Sequence, residues 1–585
     1  MSRIKLAAIA MLMLMAGILS GCNGDNGDQP GGGDIPQNAI QIDIIYAPES
    51  ALYMPQAIAD FNQAYREGRN PVTGQPLQSG ERPIYVTGTD GSSGTVMQGI
   101  VNAIIAPNNQ NVVKPVIFEP SVSHWLALAN YQSGRELFDL SQSRATALAP
   151  VVMAIWESRL EAIRETAGYQ EIGWEELLQV LDSPNGWQDY GLPGARRQVY
   201  YGHTDPFISS TALSTLIAEF YASARENGFT GRRIDVAQVN DEDVQDGVRR
   251  IEQLIRHYSR RTTEFKEYIA QGTEYVDFVA LEENDLIYIN EGKTEIKPPE
   301  KLVALYPKEG TFWHEHPMGI VNADWVTEEQ KQAARVFVDY ILTEPIQRRI
   351  MEAGFRPANP NVPVAYPFVT ENGVDPNGPA NVLDVPEPAV IAAIQQSWAF
   401  VKKQADVMLL IDVSGSMETD GKLAQAKEAA VAFAENLEAG TRLGLSIFSD
   451  DVRTLVPLGN LESNLNQVTA NINSLRSEGG TELYMSVSEV VEMMNDAEEG
   501  DRIRAVVILS DGADTGSMGA TLNDALRAIS DSRESRNPVI VIPVAYGRDA
   551  DINALNSIAR TSATRVQSGD PSSILELLEI ISSYF

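Results

Sequence analysis

Residues 407–417, VMLLIDVSGSM, decide the fold of the C-terminal part of this chain. The first five residues form an uninterrupted apolar run, which is typical of a strand buried on both faces of a parallel sheet. The run ends at Asp412, and a loop rich in serine and glycine follows before a helix predicted over residues 422–437. This order of strand, polar loop and helix predicts the first unit of an α/β sheet.

Three more apolar runs follow, at residues 443–448 (LGLSIF), 505–509 (AVVIL) and 539–544 (VIVIPV), and helical sequence separates them. Alternating strands and helices predict a doubly wound parallel sheet, in which ligands bind at the carboxyl ends of the strands. Polar clusters stand at those ends, so a binding site is expected there.

The candidate site consists of side chains with hydroxyl or carboxylate oxygens: Asp412, Ser414, Ser416, Thr481 and Asp511. These are hard ligands, and the absence of His and Cys indicates Mg²⁺, with Ca²⁺ or Mn²⁺ as alternatives, rather than zinc. The alternate spacing of the first three lets one tight turn direct them to a single point. Because hydroxyls bring no charge, the ion would remain electrophilic and attract a carboxylate from a partner.

DVSGSM, the distant Thr481 and the SDG loop together resemble the metal-ion-dependent adhesion site of von Willebrand factor A (VWA) domains. The resemblance covers residues 404–585 and implies divalent-cation binding and recognition of a protein partner without catalysis. A phosphatase of the haloacid dehalogenase type also places an Asp after its first strand, but it needs a second Asp where this chain has Ser414. No GxxxxGK[ST] phosphate loop occurs either. We therefore expect no enzyme activity.

The N-terminus predicts export. Two basic residues precede an apolar run over residues 6–19, and LSGC follows at residues 19–22. This pattern resembles the lipobox of bacterial lipoproteins, which implies removal of residues 1–21, lipidation of Cys22 and anchoring to a cell membrane outside the cytoplasm, in the periplasm or at the cell surface. Cys22 is the only cysteine, so no internal disulfide is expected. The Gly, Asp and Asn rich residues 22–39 predict a flexible tether.

Residues 40–360 alternate short apolar strands with helical patterns, beginning with a predicted strand at 40–47 and a helix at 53–65. With HTDP at 203–206 and GFRP at 354–357, the layout resembles type 2 periplasmic solute-binding proteins of ABC importers. It implies a two-lobed domain whose cleft would be lined by Ser92, Ser93, Ser123 and Ser209. The alternative interpretation is that these serines are helix caps and turn residues.

Three further features limit the interpretation. The Pro and Asn rich residues 361–403 predict a linker with a connecting helix. His314 and His316 lie two positions apart on a predicted strand, where they are expected to face solvent rather than bind a metal. With 45 Lys and Arg against 79 Asp and Glu, the net charge of −34 argues against nucleic-acid binding.

The sequence thus predicts a tethered protein of two modules. The VWA module would bind a divalent cation and, through it, a protein partner, and the first module would be a solute-receptor fold. The alternative is a working ABC transport receptor for an oxyanion or another small solute, with an accessory VWA domain.

Overall fold

The structure is a computed structural model that describes most of the chain from residue 35 onward. The described residues are 35–108, 111–169, 171–181, 183–195, 199–259, 262–438, 440–497, 502–511, 514–515, 519–533, 538–546, 550–562, 564, 566–569, 578 and 581. Cys22, the predicted signal peptide and nearly all of the predicted tether lie outside the described residues.

The N-terminal domain has two lobes, each with its own sheet. Its strands are β1 (Ile40–Tyr46), β2 (Ile84–Asp90), β3 (Ile117–Glu119), β4 (Arg144–Ala145), β5 (Ala147–Trp156), β6 (Tyr201–Thr204), β7 (Ile255–Ser259), β8 (Phe278–Glu282), β9 (Leu302–Leu305), β10 (Trp313–His314), β11 (Pro317–Ile320) and β12 (Arg356–Pro357). Its helices are α1 (Met54–Arg66), α2 (Ser93–Ile105), α3 (His124–Ser133), α4 (Glu157–Ala167), α5 (Trp174–Leu181), α6 (Ser210–Glu226), α7 (Val236–Val239), α8 (Glu242–Glu252), α9 (Thr262–Ile269), α10 (Glu283–Asn290), α11 (Glu328–Ile341), α12 (Glu344–Glu352) and α13 (Pro388–Val401).

The first lobe is built on the sheet β2-β1-β3-β11-β4, in which β1 runs parallel to β2 and β3. The second lobe is built on the sheet β10-β5-β8-β6-β7, with β9 and β12 also paired to β5. In both sheets the parallel strands direct their carboxyl ends towards the boundary between the lobes. The predicted first strand and first helix are confirmed as β1 and α1.

The chain crosses from the first lobe to the second between β4 and β5, returns between β10 and β11, and enters the second lobe again before β12. The first two crossings are joined, because the Thr146 hydroxyl donates a hydrogen bond to the carbonyl oxygen of His316 at 2.6 Å. His316 has a φ of 42°, in the left-handed region that non-glycine residues rarely adopt. A residue at this crossing is therefore held by its surroundings in an unusual conformation.

The lobes are closed on each other. The amide of Gly94, in the first turn of α2, donates to the carbonyl oxygen of Ile208 at 3.1 Å, although these residues belong to different lobes. The Trp125 indole nitrogen likewise donates to the Ser210 hydroxyl at 2.9 Å. Direct hydrogen bonds thus link the two lobes away from the crossings.

The segment predicted as a linker and connecting helix, residues 361–403, is packed onto the N-terminal domain. Helix α13 touches α3 of the first lobe and α6, α7 and α8 of the second. Its Ile391 is fully buried, and Gln395 donates to the carbonyl oxygen of Pro206 at 2.9 Å. Three of the apolar residues interspersed among the prolines are buried in the second lobe: Val362, Phe368 and Val374. The segment therefore packs against both lobes and links them.

The C-terminal domain has one sheet in the order β15-β14-β13-β16-β17-β18, parallel except for β15. Its strands are β13 (Ala405–Asp412), β14 (Arg442–Phe448), β15 (Val452–Asn460), β16 (Ile503–Ser510), β17 (Val539–Tyr546) and β18 (Gln567–Gly569). Its described helices are α14 (Lys422–Asn436), α15 (Leu461–Ser474), α16 (Leu483–Asn495), α17 (Leu522–Arg533) and α18 (Ile552–Thr561). The predicted strands at 407–411, 443–448, 505–509 and 539–544 are confirmed.

The apolar run of β13 is continuous because both faces of the sheet are covered. Leu409 and its alternate neighbours pack in the same apolar cluster as α14 and α15, whereas Met408 and Leu410 pack with α16, α17 and α18. This is the doubly wound arrangement that the sequence predicts. Among the described residues, no helix is both long and apolar enough to cross a membrane.

We expect Gly94→Ala to force the lobes apart. A Cβ atom at this position would lie 1.9 Å from the backbone oxygen of Phe207 in the other lobe, so the backbones must separate. The cost should be about 1–3 kcal/mol of unfolding free energy, with a lower melting temperature and a larger radius of gyration in small-angle X-ray scattering. Gly194→Ala is the control, since no atom lies within 4 Å of its Cβ position. Unchanged stability and scattering in Gly94→Ala would contradict the closed arrangement.

Candidate functional site

The candidate site lies where β13 and β16 end side by side. These strands pair in parallel through Ile411 and Leu509, which brings the next residues, Asp412 and Ser510, to the same edge of the sheet. The Ser510 hydroxyl donates to Asp412 Oδ2 at 2.7 Å. The final residue of the buried strand is thus a buried carboxylate held by the neighbouring strand.

The turn after β13 brings two more oxygen-bearing side chains to this edge, where they meet Asp511, the residue after β16. The Ser414 amide donates to Asp412 Oδ1 at 2.9 Å, which folds the turn back over the strand end. The hydroxyls of Ser414 and Ser416 lie 3.0 Å apart, and Ser416 also donates to Asp511 Oδ1 at 2.7 Å. Four of the five predicted ligands therefore form one connected set.

Thr481, the fifth predicted ligand, is buried in the loop beside this set. The loop is fixed to the turn by two backbone bonds, from the Gly415 amide to the Gly479 oxygen at 3.0 Å and from the Glu478 amide to the Val413 oxygen at 2.7 Å. The structure thus places the loop that carries Thr481 next to the serine turn. No hydrogen bond is described between its side chain and the other four.

Gly479 adopts a φ of 77°, and a Cβ atom there would lie 2.5 Å from Asp450 Oδ2. The Asp450 carboxylate also accepts a hydrogen bond from the Gly480 amide at 2.6 Å. Gly479 is therefore favoured both by its backbone conformation and by the close approach of this carboxylate, whereas at Gly480 a Cβ atom would make only a tight contact of 3.0 Å with Asp450 Oδ1.

Both carboxylates of the site are fully buried. Burial raises the pKa of Asp412, and hydrogen bonds from Ser414 and Ser510 partly oppose that rise, whereas the nearby Asp511 adds to it. Asp511 has a cationic partner: the ammonium of Lys422 donates to Asp511 Oδ2 at 2.6 Å and is itself buried. The site therefore contains two buried carboxylates and one buried ammonium.

The donor set fits a small, hard cation. Among the described residues, no group of three or more His, Cys, Asp or Glu side chains is arranged to hold a metal ion, so an ion here would depend on hydroxyl oxygens. Adjacent oxygens around an octahedral Mg²⁺ are about 3.0 Å apart, given Mg–O distances of about 2.1 Å. The separation of 3.0 Å between the Ser414 and Ser416 hydroxyls is compatible with that spacing.

The sequence analysis did not select Ser510 or Lys422. Ser510 precedes Asp511 directly, and the parallel pairing of two predicted central strands indicates that it meets Asp412. Lys422 opens the predicted helix after the serine turn, but no sequence pattern shows that its side chain turns back to a residue 89 positions away.

The serines proposed for the cleft lie near the boundary between the lobes, where they occupy helix starts. Ser92 and Ser93 begin α2, Ser123 precedes α3, and Ser209 caps α6 by accepting from the Ala212 amide. Ser93 Oγ accepts from the Ser121 amide at 3.3 Å, whereas the buried Ser92 hydroxyl has no hydrogen-bond partner among the described residues.

The expectation that His314 and His316 face solvent is wrong, since both are fully buried. His314 lies 2.6 Å from Glu282 Oε1 through Nδ1 and 2.8 Å from the Ser214 hydroxyl through Nε2. His316 stands between the lobes, with Nδ1 3.3 Å from Glu119 and Nε2 3.3 Å from Glu282. The ring nitrogens of these histidines thus lie next to the carboxylates at the ends of β3 and β8.

The pKa values in this cluster depart from their ordinary ranges. Burial alone would lower the pKa of His316, but Glu282 and Glu119 raise it to about 10. Burial, together with repulsion from Glu282 and Asp285, raises the pKa of Glu49 to about 8. Lys266 forms an ion pair of 2.9 Å with Asp285, so the cluster combines carboxylates from both lobes with buried cations.

Comparison with known proteins identifies the C-terminal domain. Residues 406–579 match the family model of the von Willebrand factor type A domain, so this part of the chain is a VWA domain. No curated protein matches the chain significantly.

Solved structures similar to the C-terminal part include a von Willebrand factor type A protein from Catenulispora acidiphila, with 22% identity, a TM-score of 0.28 and coverage of 31% of this chain and 43% of that one. Proximal thread matrix protein 1 from the mussel byssus is 21% identical, with a TM-score of 0.27 and coverage of 31% and 47%. This chain thus spans less than half the length of either protein. Another structure of the byssus protein has a zinc-occupied metal-ion-dependent adhesion site.

The N-terminal domain is similar in fold to periplasmic binding proteins. A periplasmic thiamin binding protein has 13% identity and a TM-score of 0.41, with coverage of 63% of this chain and 97% of that one. The sulfate-binding protein SubI from Mycobacterium tuberculosis H37Rv has 19% identity and a TM-score of 0.37, with coverage of 61% and 96%.

We expect the N-terminal domain to lose stability as the pH rises from about 4.5 to 10, through Glu49 up to about pH 8 and through His316 above about pH 6.5. The pKa values of His316 and Glu49 are raised in the folded state, to about 10 and about 8, so the folded state binds protons that the unfolded state releases. This stabilisation is complete below the unfolded pKa values and is lost as the pH passes the folded ones. Calorimetric melting from pH 5 to 10 measures the loss.

Glu49→Gln imitates the protonated carboxyl and should reduce the part of the decline below about pH 8. Glu161→Gln, on the exposed side of α4, is the matched control and should follow the parent curve. If the parent melts at the same temperature across this whole range, the buried charges are not linked to folding in the way that their surroundings indicate.

Proposed function

We propose that the VWA domain binds a divalent cation, Mg²⁺ best, and through it a carboxylate of a protein partner. The observation that carries this proposal is the connected set of oxygens formed by Asp412, Ser414, Ser416 and Asp511 at the carboxyl edge of the sheet. Hydroxyl and carboxylate oxygens suit Mg²⁺, Ca²⁺ and Mn²⁺. No step of this function requires catalysis, and we propose none.

The site is open on the side of the serine turn, since Ser416 is exposed whereas Asp412, Ser414 and Asp511 are buried. A partner would therefore approach from that side. Residues 404–585 carry 13 Lys and Arg against 28 Asp and Glu, a net charge of −15. Such a field repels strongly acidic surfaces at long range, which favours a partner with one local carboxylate in a neutral or basic setting.

In this proposal, the two lobes of the N-terminal domain stay closed and hold the VWA domain in a fixed position. The two lobes share direct hydrogen bonds, and α13 packs on both of them just before β13 begins. These internal contacts support a fixed carrier more than a receptor that opens and closes during solute transport. Lipidation of Cys22 would anchor this assembly outside the cytoplasm.

Asp412→Asn in the full chain should abolish saturable Mg²⁺ binding or weaken it by at least about tenfold, because the site loses one of its two negative charges. Titration calorimetry with Mg²⁺, Mn²⁺ and Ca²⁺ measures the effect. The near-isosteric change keeps the size of the buried group. Asp531→Asn, on the exposed side of α17, is the matched control and should bind like the parent. Parent protein that binds none of the three ions, with or without acetate present, rules out the proposal.

Cys22→Ser tests the anchor. The parent, expressed in a bacterial host, should partition into the detergent phase of Triton X-114 and incorporate radiolabelled palmitate, because acyl chains gain about 0.8 kcal/mol per buried methylene. The serine variant should move to the aqueous phase and remain unlabelled. Equal partitioning of the parent and the serine variant would refute lipidation of Cys22. It would not bear on the proposed metal site.

A further inference from the structure

The buried ammonium of Lys422 is the feature of the VWA domain that the proposed function leaves unexplained. Lys422 is the first residue of α14, and Gly421 before it has a φ of 71°, which lets the chain turn sharply from the serine loop into the helix. Its side chain is 7% exposed and reaches Asp511 Oδ2 at 2.6 Å, while Asp511 is fully buried. A buried lysine is costly unless a negative charge pairs with it.

The carboxylate of Asp511 is divided between two partners. Oδ1 accepts from the Ser416 hydroxyl at 2.7 Å and therefore belongs to the oxygen cluster, whereas Oδ2 accepts from Lys422. Lys422 thus fixes the orientation of Asp511 without occupying the face that Ser416 contacts. The ammonium stands beside the cluster and does not interrupt it.

The charged side chains joined by these hydrogen bonds do not cancel one another. Of the side chains that the structure describes in this cluster, Asp412 and Asp511 contribute two negative charges and Lys422 one positive charge, which leaves one negative charge before metal enters. A divalent cation would turn that into a net charge of +1, whereas the same site without the lysine would be neutral when loaded. Excess positive charge strengthens the attraction of the loaded site for an anionic group from outside.

We propose that Lys422 is a resident cation of the site, which stabilises the buried carboxylates before metal enters and makes the loaded site selective for an anionic partner group. This inference rests on the proposed function, because it assumes that a divalent cation binds at Asp412 and Asp511. Lys422 acts here as a positioning residue that also sets the charge of the site.

The test compares Lys422→Met, which keeps the length of the side chain and removes its charge, with Lys422→Arg, which keeps the charge. Lys427→Met is the matched control from the same helix, because the ammonium of Lys427 bonds backbone oxygens of Asn473 and Leu475, away from the carboxylates. All measurements use the full chain, with Mg²⁺ and Mn²⁺ as the metal probes and acetate as the carboxylate probe.

Lys422→Met should bind Mn²⁺ about tenfold more tightly than the parent in the absence of acetate, because the repulsion between ammonium and metal is gone. Its melting temperature in EDTA should fall below that of the parent, and added Mg²⁺ should raise it by more than it raises the parent. The gain in Mn²⁺ affinity that acetate gives the parent should largely disappear. Lys422→Arg and Lys427→Met should keep the parent's acetate effect.

An unchanged Mn²⁺ affinity together with an unchanged acetate effect in Lys422→Met would overturn the inference, and so would weaker metal binding in that variant. If Lys422→Met fails to fold, Lys422→Arg still tests the inference. This variant keeps the positive charge, so loss of the acetate effect in it would contradict the proposed role of that charge. A parent chain that binds no metal is a different result, and it refutes the proposed function itself.

Discussion

The burial of carboxylates at the ends of strands is the constraint on which the functional regions of this protein depend. Each of the three sheets has a strand that ends in a fully buried acid: Glu119 on β3, Glu282 on β8 and Asp412 on β13. An isolated buried carboxylate is expensive, so each of them requires nearby donors or cations. The elements that supply these partners determine how the lobes close and how the serine turn folds.

The two domains meet this constraint in different ways. In the N-terminal domain the partners are His314 and His316, and the latter links acids of both lobes through one ring. His316 can contact both Glu119 and Glu282 only when the lobes are closed, so closure and the pairing of these buried charges occur together. In the VWA domain the partners of Asp412 are hydroxyl and amide donors, which stabilise the carboxylate but bring no positive charge. The hydroxyl-lined edge therefore still suits a cation, which is why a metal site fits the second case and not the first.

The regular elements and the clustering of Asp412, Ser414 and Ser416 could be predicted from the sequence because the signals are local. A continuous apolar run such as that of β13 identifies a strand covered on both faces, and the spacing of Asp412, Ser414 and Ser416 lies within a single turn. The partners of the buried acids could not be predicted, because they come from distant parts of the chain. His314 and His316 were expected to face solvent, since alternation along a short strand does not reveal the distant residues that cover them. His314 is covered by Ser214 and Glu282 of its own lobe, and His316 stands between acids of both lobes.

The segment between the domains shows why composition misleads at boundaries. Proline and asparagine in residues 361–387 favour irregular backbone, but irregular backbone can still be packed, and Phe368 is buried in the core of the second lobe. Past this segment, Lys403 donates to the carbonyl oxygen of Gln253 in the second lobe at 2.7 Å, and Ala405 already begins β13. So few residues between the two packed regions leave little freedom for the VWA domain to swing. These contacts fix the orientation of the VWA sheet edge that carries Asp412 relative to the closed lobes. In the function proposed above, the closed lobes would therefore contribute through position.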